Sequence, residues 1–106
     1  MSILIIHCSC SANGIADAIA KILVEERLAA CVQVLPGVRS TYVWQDATHV
    51  DDEVLMLIKT TTEGFKALKI RLLELHPYEL PEIIAVDVSV AHADYVDWVE
   101  SRVGVP

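Results

Sequence analysis

Two hydrophobic periods alternate along this chain and divide it into strands and helices. Ile3 to Cys8 is a nearly unbroken apolar run, which predicts a short central strand. It leads into Ser9-Cys10-Ser11, and Asn13-Gly14 breaks it. From Ile15 to Leu28 the period lengthens: Asp17, Lys21 and Glu25 recur every fourth residue as one polar stripe. Nearly everything else there is apolar, and Ala16, Ala20 and Ala29 are small enough to let a helix approach a sheet closely. A second extended segment runs from Cys31 to about Trp44, with Pro36-Gly37 predicting a bulge or bend. Beyond that point Val38, Ser40, Tyr42 and Trp44 share one face, and Arg39, Thr41 and Val43 the other. Gln45 to Val50 reads as a polar loop, and Val54 to Ile58 as the returning strand of a hairpin. Thr60 with Glu63 forms the pattern of a capping box, and Phe65, Leu68, Leu72 and Leu75 follow at helical spacing until His76-Pro77 stops them. Ile84, Val86 and Val88 alternate with Ala85, Asp87 and Ser89 as a fourth strand, and a short helix runs from about His92 to Val103.

The order β-α-β-β-α-β plus a terminal helix predicts an α+β, ferredoxin-like sandwich. Right-handed crossovers place the first and second strands parallel with the third between them, and the fourth against the first. The C-terminal end of the first strand and the N-terminal end of the fourth then share one edge of the sheet. That edge holds Cys8 and Cys10 on one side and the segment His76 to Glu82 on the other. Fourteen residues of second strand would span ~46 Å, about twice the length of its neighbours, so the hairpin must project past the domain. Its projecting part carries Tyr42, Val43 and Trp44. Such a long apolar edge is unfavourable in water, which predicts a homo-oligomer that buries it.

Composition narrows the function classes. At 106 residues the chain reads as one domain, residues 1–106, large enough to bury a core without staples. A formal net charge of −7 argues against nucleic acid and anionic membranes as partners, which ask for basic patches. The apolar start is too short for a signal peptide, and no run is long enough for a transmembrane helix. Three cysteines, an odd count, fit a reducing compartment, so a cytoplasmic location is expected.

Candidate chemistry collects around His76-Pro77-Tyr78-Glu79-Leu80-Pro81-Glu82. The prolines fix their own φ and push His76 and Leu80 toward extended backbone, so the polar side chains are held on a stiff loop. Cys8 and Cys10, two apart on a strand, present both sulfurs to one face. With His76 they form a soft ligand set for copper or zinc, or else they are small buried apolar residues. Cys31 opens a strand and reads as core. Asp51-Asp52-Glu53 reads as a solvated acidic face beside the hairpin tip, and Lys59 as a partner for Glu79 or Glu82 or for an anion. Tyr78 and Trp98 read as packing residues with a polar handle. No nucleophile elbow, Ser/His/Asp order or glycine-rich phosphate loop is present, so an enzyme is not expected.

The chain resembles the CutA divalent-cation-tolerance family over nearly its whole length. The resemblance rests on Leu28-Ala29-Ala30-Cys31-Val32, Tyr42-Val43-Trp44, Glu53-Val54 with Ile58-Lys59-Thr60, His76-Pro77-Tyr78-Glu79 with Pro81-Glu82, and Asp94-Tyr95 with Trp98. It implies a ferredoxin-like subunit, a homotrimer whose hairpins pack between neighbours, and a role in tolerance of copper and other divalent ions with no obligatory cofactor. Carried over by position, the family's metal-binding Cys falls on Cys8 and its His on His76. The architecture is also similar to PII-type signalling trimers, which implies, as alternatives to metal binding, small-molecule sites in clefts between subunits, here near Trp44, Lys59, Tyr78, Glu79 and Glu82, or a stable trimeric scaffold. The chain departs from the family pattern in three places. Ser11 replaces a proline, Leu75 replaces a second His beside His76, and Asp46-Ala47 replaces Gly-Lys at the hairpin tip.

Overall fold

The computed structural model describes residues 2–104. Strand β1 (Ile3–Ser11) leads through Gly14, in the left-handed region at φ 90°, into helix α1 (Ile15–Glu25). The helix stops three residues earlier than its apolar pattern because a Schellman ending intervenes. Arg27 turns left-handed at φ 61° and donates its N–H to the Val24 carbonyl (3.1 Å), while the Leu28 N–H returns to the Leu23 carbonyl (2.9 Å). Strand β2 (Cys31–Trp44) and strand β3 (Ala47–Thr61) form the long hairpin, followed by helix α2 (Phe65–Leu75), strand β4 (Ile84–Asp87) and helix α3 (Ala93–Arg102).

The sheet order is β2-β3-β1-β4, with all neighbours antiparallel. The topology is thus the one read from the element order, with β1 and β2 parallel and β3 between them. β1 pairs with β3 from Ile3 opposite Thr61 to Ser11 opposite Glu53. Beyond that pair the hairpin continues alone, from Arg39 opposite Asp52 to Trp44 opposite Ala47, so it does project. The longest dimension of the chain is 44 Å, against 26 and 22 Å across. The register slips between Leu35 and Val38, at the Pro36-Gly37 bulge predicted from the sequence, with Gly37 at φ 82°.

Three sequence expectations need correction. Gln45 to Val50 is not a loop: the strands meet in a tight turn at Gln45 and Asp46, and β3 begins at Ala47. Both turn residues are left-handed (φ 52° and 62°), the geometry that matches strand twist in a two-residue hairpin, reached here without glycine. Thr60 does not cap α2. It is fully buried on β3, where its hydroxyl donates to the Leu28 carbonyl (2.8 Å), and Gly64 stands at the N-cap with no side-chain cap bond. The fourth strand is only four residues long, ending at Asp87, and its ladder covers Leu4 to His7 of β1.

One face of the sheet carries the main core. Ile6, Cys8 and Cys10 of β1 and Met56 and Ile58 of β3 pack against Ile19 and Leu23 of α1 and Leu68 and Leu72 of α2, all at 2% exposure or less. Ile3, on the opposite face by strand alternation, packs with Ala30 and with Val99 of α3 in a smaller cluster. Gly64 sits close under the end of α3, where an added Cβ would come within 2.8 Å of the Val103 Cγ1. The end of α3 is also tied to α1: Arg27 donates through Nε to the Gly104 carbonyl (2.7 Å) and through Nη2 to the Ser101 carbonyl (3.0 Å). The Gly104 N–H answers by donating to the Arg27 carbonyl (2.9 Å). The rest of that second face is open. Cross-strand partners put Ile5, Leu35, Leu55, Leu57, Ile84 and Val86 together on it, with Leu35, Ile84 and Val86 40–53% exposed.

Candidate functional site

β4 begins at Ile84 opposite His7, so the loop after α2 arrives beside the last residues of β1. His76 leaves the helix in extended geometry (ψ 135°), as the following proline demands. Both of its ring nitrogens are used locally. Nδ1 accepts the Tyr78 N–H (3.1 Å), so Nε2 carries the proton and donates to the Ser9 carbonyl (2.8 Å). The Tyr78 ring meets the imidazole edge-on, with centroids 4.7 Å apart. Tyr78 Oη then donates to Glu53 Oε2 (2.5 Å). The loop is therefore pinned to β1 through His76 and to β3 through Tyr78.

The thiols and the imidazole do not come together. Cys8 and Cys10 point into the core beneath the helices, fully buried, whereas His76 reaches the backbone of the intervening Ser9. Burial pushes the Cys8 thiol up to about 12, with the neighbouring Cys10, Glu82 and Glu53 pushing it the same way. Burial raises Cys10 too, partly offset by a backbone hydrogen bond at Ser11. At neutral pH both are protonated, and a thiol must lose its proton to ligate a metal. Among the described residues, no three His, Cys, Asp or Glu side chains are grouped to hold an ion within one chain.

What the loop and hairpin do build is a cleft of about 640 Å³ on the open side of the sheet. Its floor is Ser9 and Ser11 of β1, Glu53 and Asp51 of β3, and Ser40 of β2; Tyr42 and Trp44 line it from the arm, and Tyr78, Glu79, Leu80 and Glu82 from the loop. Asp52 completes a set of five carboxylates, and among the described residues no Lys, Arg or His lines the space. Asp52 is offset by an exposed contact with Arg39 (3.6 Å), and Asp51 accepts the Tyr42 hydroxyl. Glu53 is only 6% exposed, with Oε2 held by Tyr78. Burial and the Glu53 carboxylate together push the Tyr78 phenol up to about 12.

Of the residues singled out in the sequence, Trp44, Tyr78, Glu79 and Glu82 meet in this cleft. Lys59 does not. It lies on the open face opposite Ile5 and gives its ammonium to Gln33 Oε1 (2.6 Å). Glu53, Asp51 and Tyr42 were missed as site residues. The signal was available in the strand period, since Glu53 and Asp51 alternate onto the same face as Ser11 once β3 is extended past Val54.

A family model described as CutA1 divalent ion tolerance protein matches residues 4–102. The chain belongs to the CutA1 family. A divalent-cation tolerance protein CutA from Thermus thermophilus is 49% identical over 90 residues, covering 85% of this chain and 87% of that one. A crystal structure of CutA from Xylella fastidiosa superposes with a TM-score of 0.94 at 42% identity, covering 98% of this chain and 100% of the other. A structure described as the periplasmic divalent cation tolerance protein CutA from Archaeoglobus fulgidus matches at a TM-score of 0.92 and 28% identity, over 96% and 99% of the two chains. The CutA1 fold thus accounts for the four-stranded antiparallel sheet and three helices seen here. Among the described residues, no helix of this CutA1 chain is long and apolar enough to cross a membrane.

Proposed function

We propose that this CutA1 protein is a homotrimeric, non-enzymatic binder of copper or similar divalent ions, acting in the cytoplasm, and that it takes them at the cleft. One observation carries the reading: five carboxylates line the cleft, and among the described residues only an exposed contact of Arg39 with Asp52 offsets any of them. Oxygen ligands suit divalent cations, and among first-row ions any such set binds copper(II) most tightly. Because one chain groups no three donors on a point, the ion is completed by side chains of a neighbouring copy or by water. The trimer is supported by the open face, where Ile84 and Val86 stand about half exposed on the short edge strand beside Ile5 and Leu57. Burying that face between copies removes an unfavourable apolar patch and places the cleft at a subunit boundary.

The thiol set Cys8, Cys10 and His76 is the second reading, and the raised Cys8 pKa disfavours it. A small anion at Lys59 is the third, and it is disfavoured because Lys59 stands apart from the Tyr78-Glu79 loop with its ammonium on Gln33. Copper(II), zinc and manganese(II) titrated into the wild type, Glu53→Gln/Glu82→Gln and Cys8→Ser/His76→Ala separate these readings. Weakened binding only in the first double variant is expected. Loss only in the second would transfer the site to the thiols. Sedimentation should give three times the chain mass, and a monomer at micromolar concentration would defeat the assembly.

A further inference from the structure

His7 stands inside the open apolar face that the trimer covers. It is half-buried on β1, with Ile5 and Ser9 beside it along the strand, Leu57 and Ile84 directly across, and Leu55, Lys59 and Val86 on the diagonals. All of these but Ser9 and Lys59 are aliphatic, and Lys59 already gives its ammonium to Gln33 Oε1. Glu82, which comes just before β4, lines the cleft instead. In a separate chain, water reaches the exposed part of the imidazole. A neighbouring copy laid over Leu35, Ile84 and Val86 removes that water, and the aliphatic side chains around the ring return no hydrogen bond. The same contact is therefore strengthened by every aliphatic group on the face and weakened at its imidazole, once per copy.

We propose that His7 holds the trimer weak enough for a bound ion to decide whether it forms. An ion completed by two copies binds the assembled state and not the separate chain, so it favours assembly by mass action. That shift matters only where the ion-free trimer is marginal. A uniformly aliphatic face would hold the copies together with or without the ion. His7 is thus an assembly-tuning residue and not a ligand. The inference rests on the reading above, in which a divalent ion binds at a subunit boundary and the copies meet through the open face.

Sedimentation equilibrium of the full chain across a dilution series, in EDTA and in manganese(II), tests it. Manganese(II) is the probe because it favours carboxylate over imidazole ligands. In EDTA the wild type should fall to the single-chain mass at a concentration about tenfold higher than in manganese(II). His7→Leu should stay trimeric in EDTA down to a concentration about tenfold lower than the wild type, and should lose most of the ion dependence. His7→Val is a second aliphatic replacement suited to a strand, and circular dichroism checks that both variants fold. Equal dissociation of the wild type and both variants in EDTA would overturn the proposal. If manganese(II) binds by titration but leaves the dissociation unchanged, this inference falls alone. If no ion binds, or the wild type is a single chain at every concentration, the reading of the cleft falls and this one with it.

Discussion

Tyr78 Oη donates a 2.5 Å hydrogen bond to Glu53 Oε2, joining the loop after α2 to the middle of β3. Glu53 is nine-tenths buried, and the phenol supplies the hydrogen-bond donor that its carboxyl group needs there. Tyr78→Phe keeps the ring and its packing on His76 but leaves that carboxylate short of a donor. It should cost about 1–3 kcal/mol in urea unfolding, and the loss should shrink when Glu53→Gln is made in the same chain. Equal costs in both backgrounds would mean the bond contributes nothing.

Stability should fall on the alkaline side through the buried thiol. Cys8 is held at about 12, above its ordinary 9.0, mainly by burial. The folded state therefore keeps a proton that the unfolded chain releases. The stabilisation is complete below about pH 9 and is lost as pH rises toward 12. Denaturant midpoints measured between pH 8 and 11 should drop, and Cys8→Ala should show a shallower drop despite its lower starting stability. An identical slope would assign the effect to other groups, Tyr78 first among them.

Gly64 has an ordinary φ of −81°, so alanine is acceptable to its backbone. Space is the obstacle: the new methyl would lie 2.8 Å from Val103 Cγ1 and 3.0 Å from Thr61 Oγ1. Val103 is β-branched and stiff, and Thr61 Oγ1 already accepts the Gly64 N–H (3.0 Å). Gly64→Ala should destabilise by about 1–3 kcal/mol, and Val103→Ala should rescue part of it in a double-mutant cycle.

The hairpin turn offers a stabilising change. Asp46 sits at φ 62°, where glycine is free of the Cβ penalty. Asp46→Gly should raise stability by about 1 kcal/mol in thermal or urea unfolding, because the relief at the left-handed position exceeds the extra freedom of the unfolded chain. A fall in stability would mean that the Asp46 carboxylate is doing more in the turn than its backbone suggests.

Assembly can be probed at the short edge strand. Ile84, 53% exposed and opposite His7, belongs to the open apolar face. Ile84→Asp should leave the monomer folded by circular dichroism and move the sedimenting species to the single-chain mass. A variant that remains at three times that mass would remove Ile84 from the interface.

Periodicity made the sheet order, the bulge and the projecting arm readable, because each follows from runs of alternating residues and from crossover handedness. The arm's full length was not readable: Gln45 and Asp46 turn left-handed without the glycine that marks such turns, so a tight corner looked like a loop. Thr60 carried a capping pattern but belongs to the strand, where burial and the Leu28 carbonyl outcompete a helix end. At the site, spacing correctly put Cys8 and Cys10 on one face but could not say that this face is the core. His76 looked available until its two nitrogens were found committed to the Ser9 carbonyl and the Tyr78 amide.

The exchange between Arg27 and the residues after α3 means that the first helix does not own its ending. Its left-handed stop is secured by backbone from the far end of the chain, and that backbone is secured by the same arginine in return. A chain cut after Glu100 would lose Ser101, Val103 and Gly104 together. It should show faster amide exchange at Arg27 and Leu28 as well as at α3, although those residues lie more than seventy positions earlier in the chain.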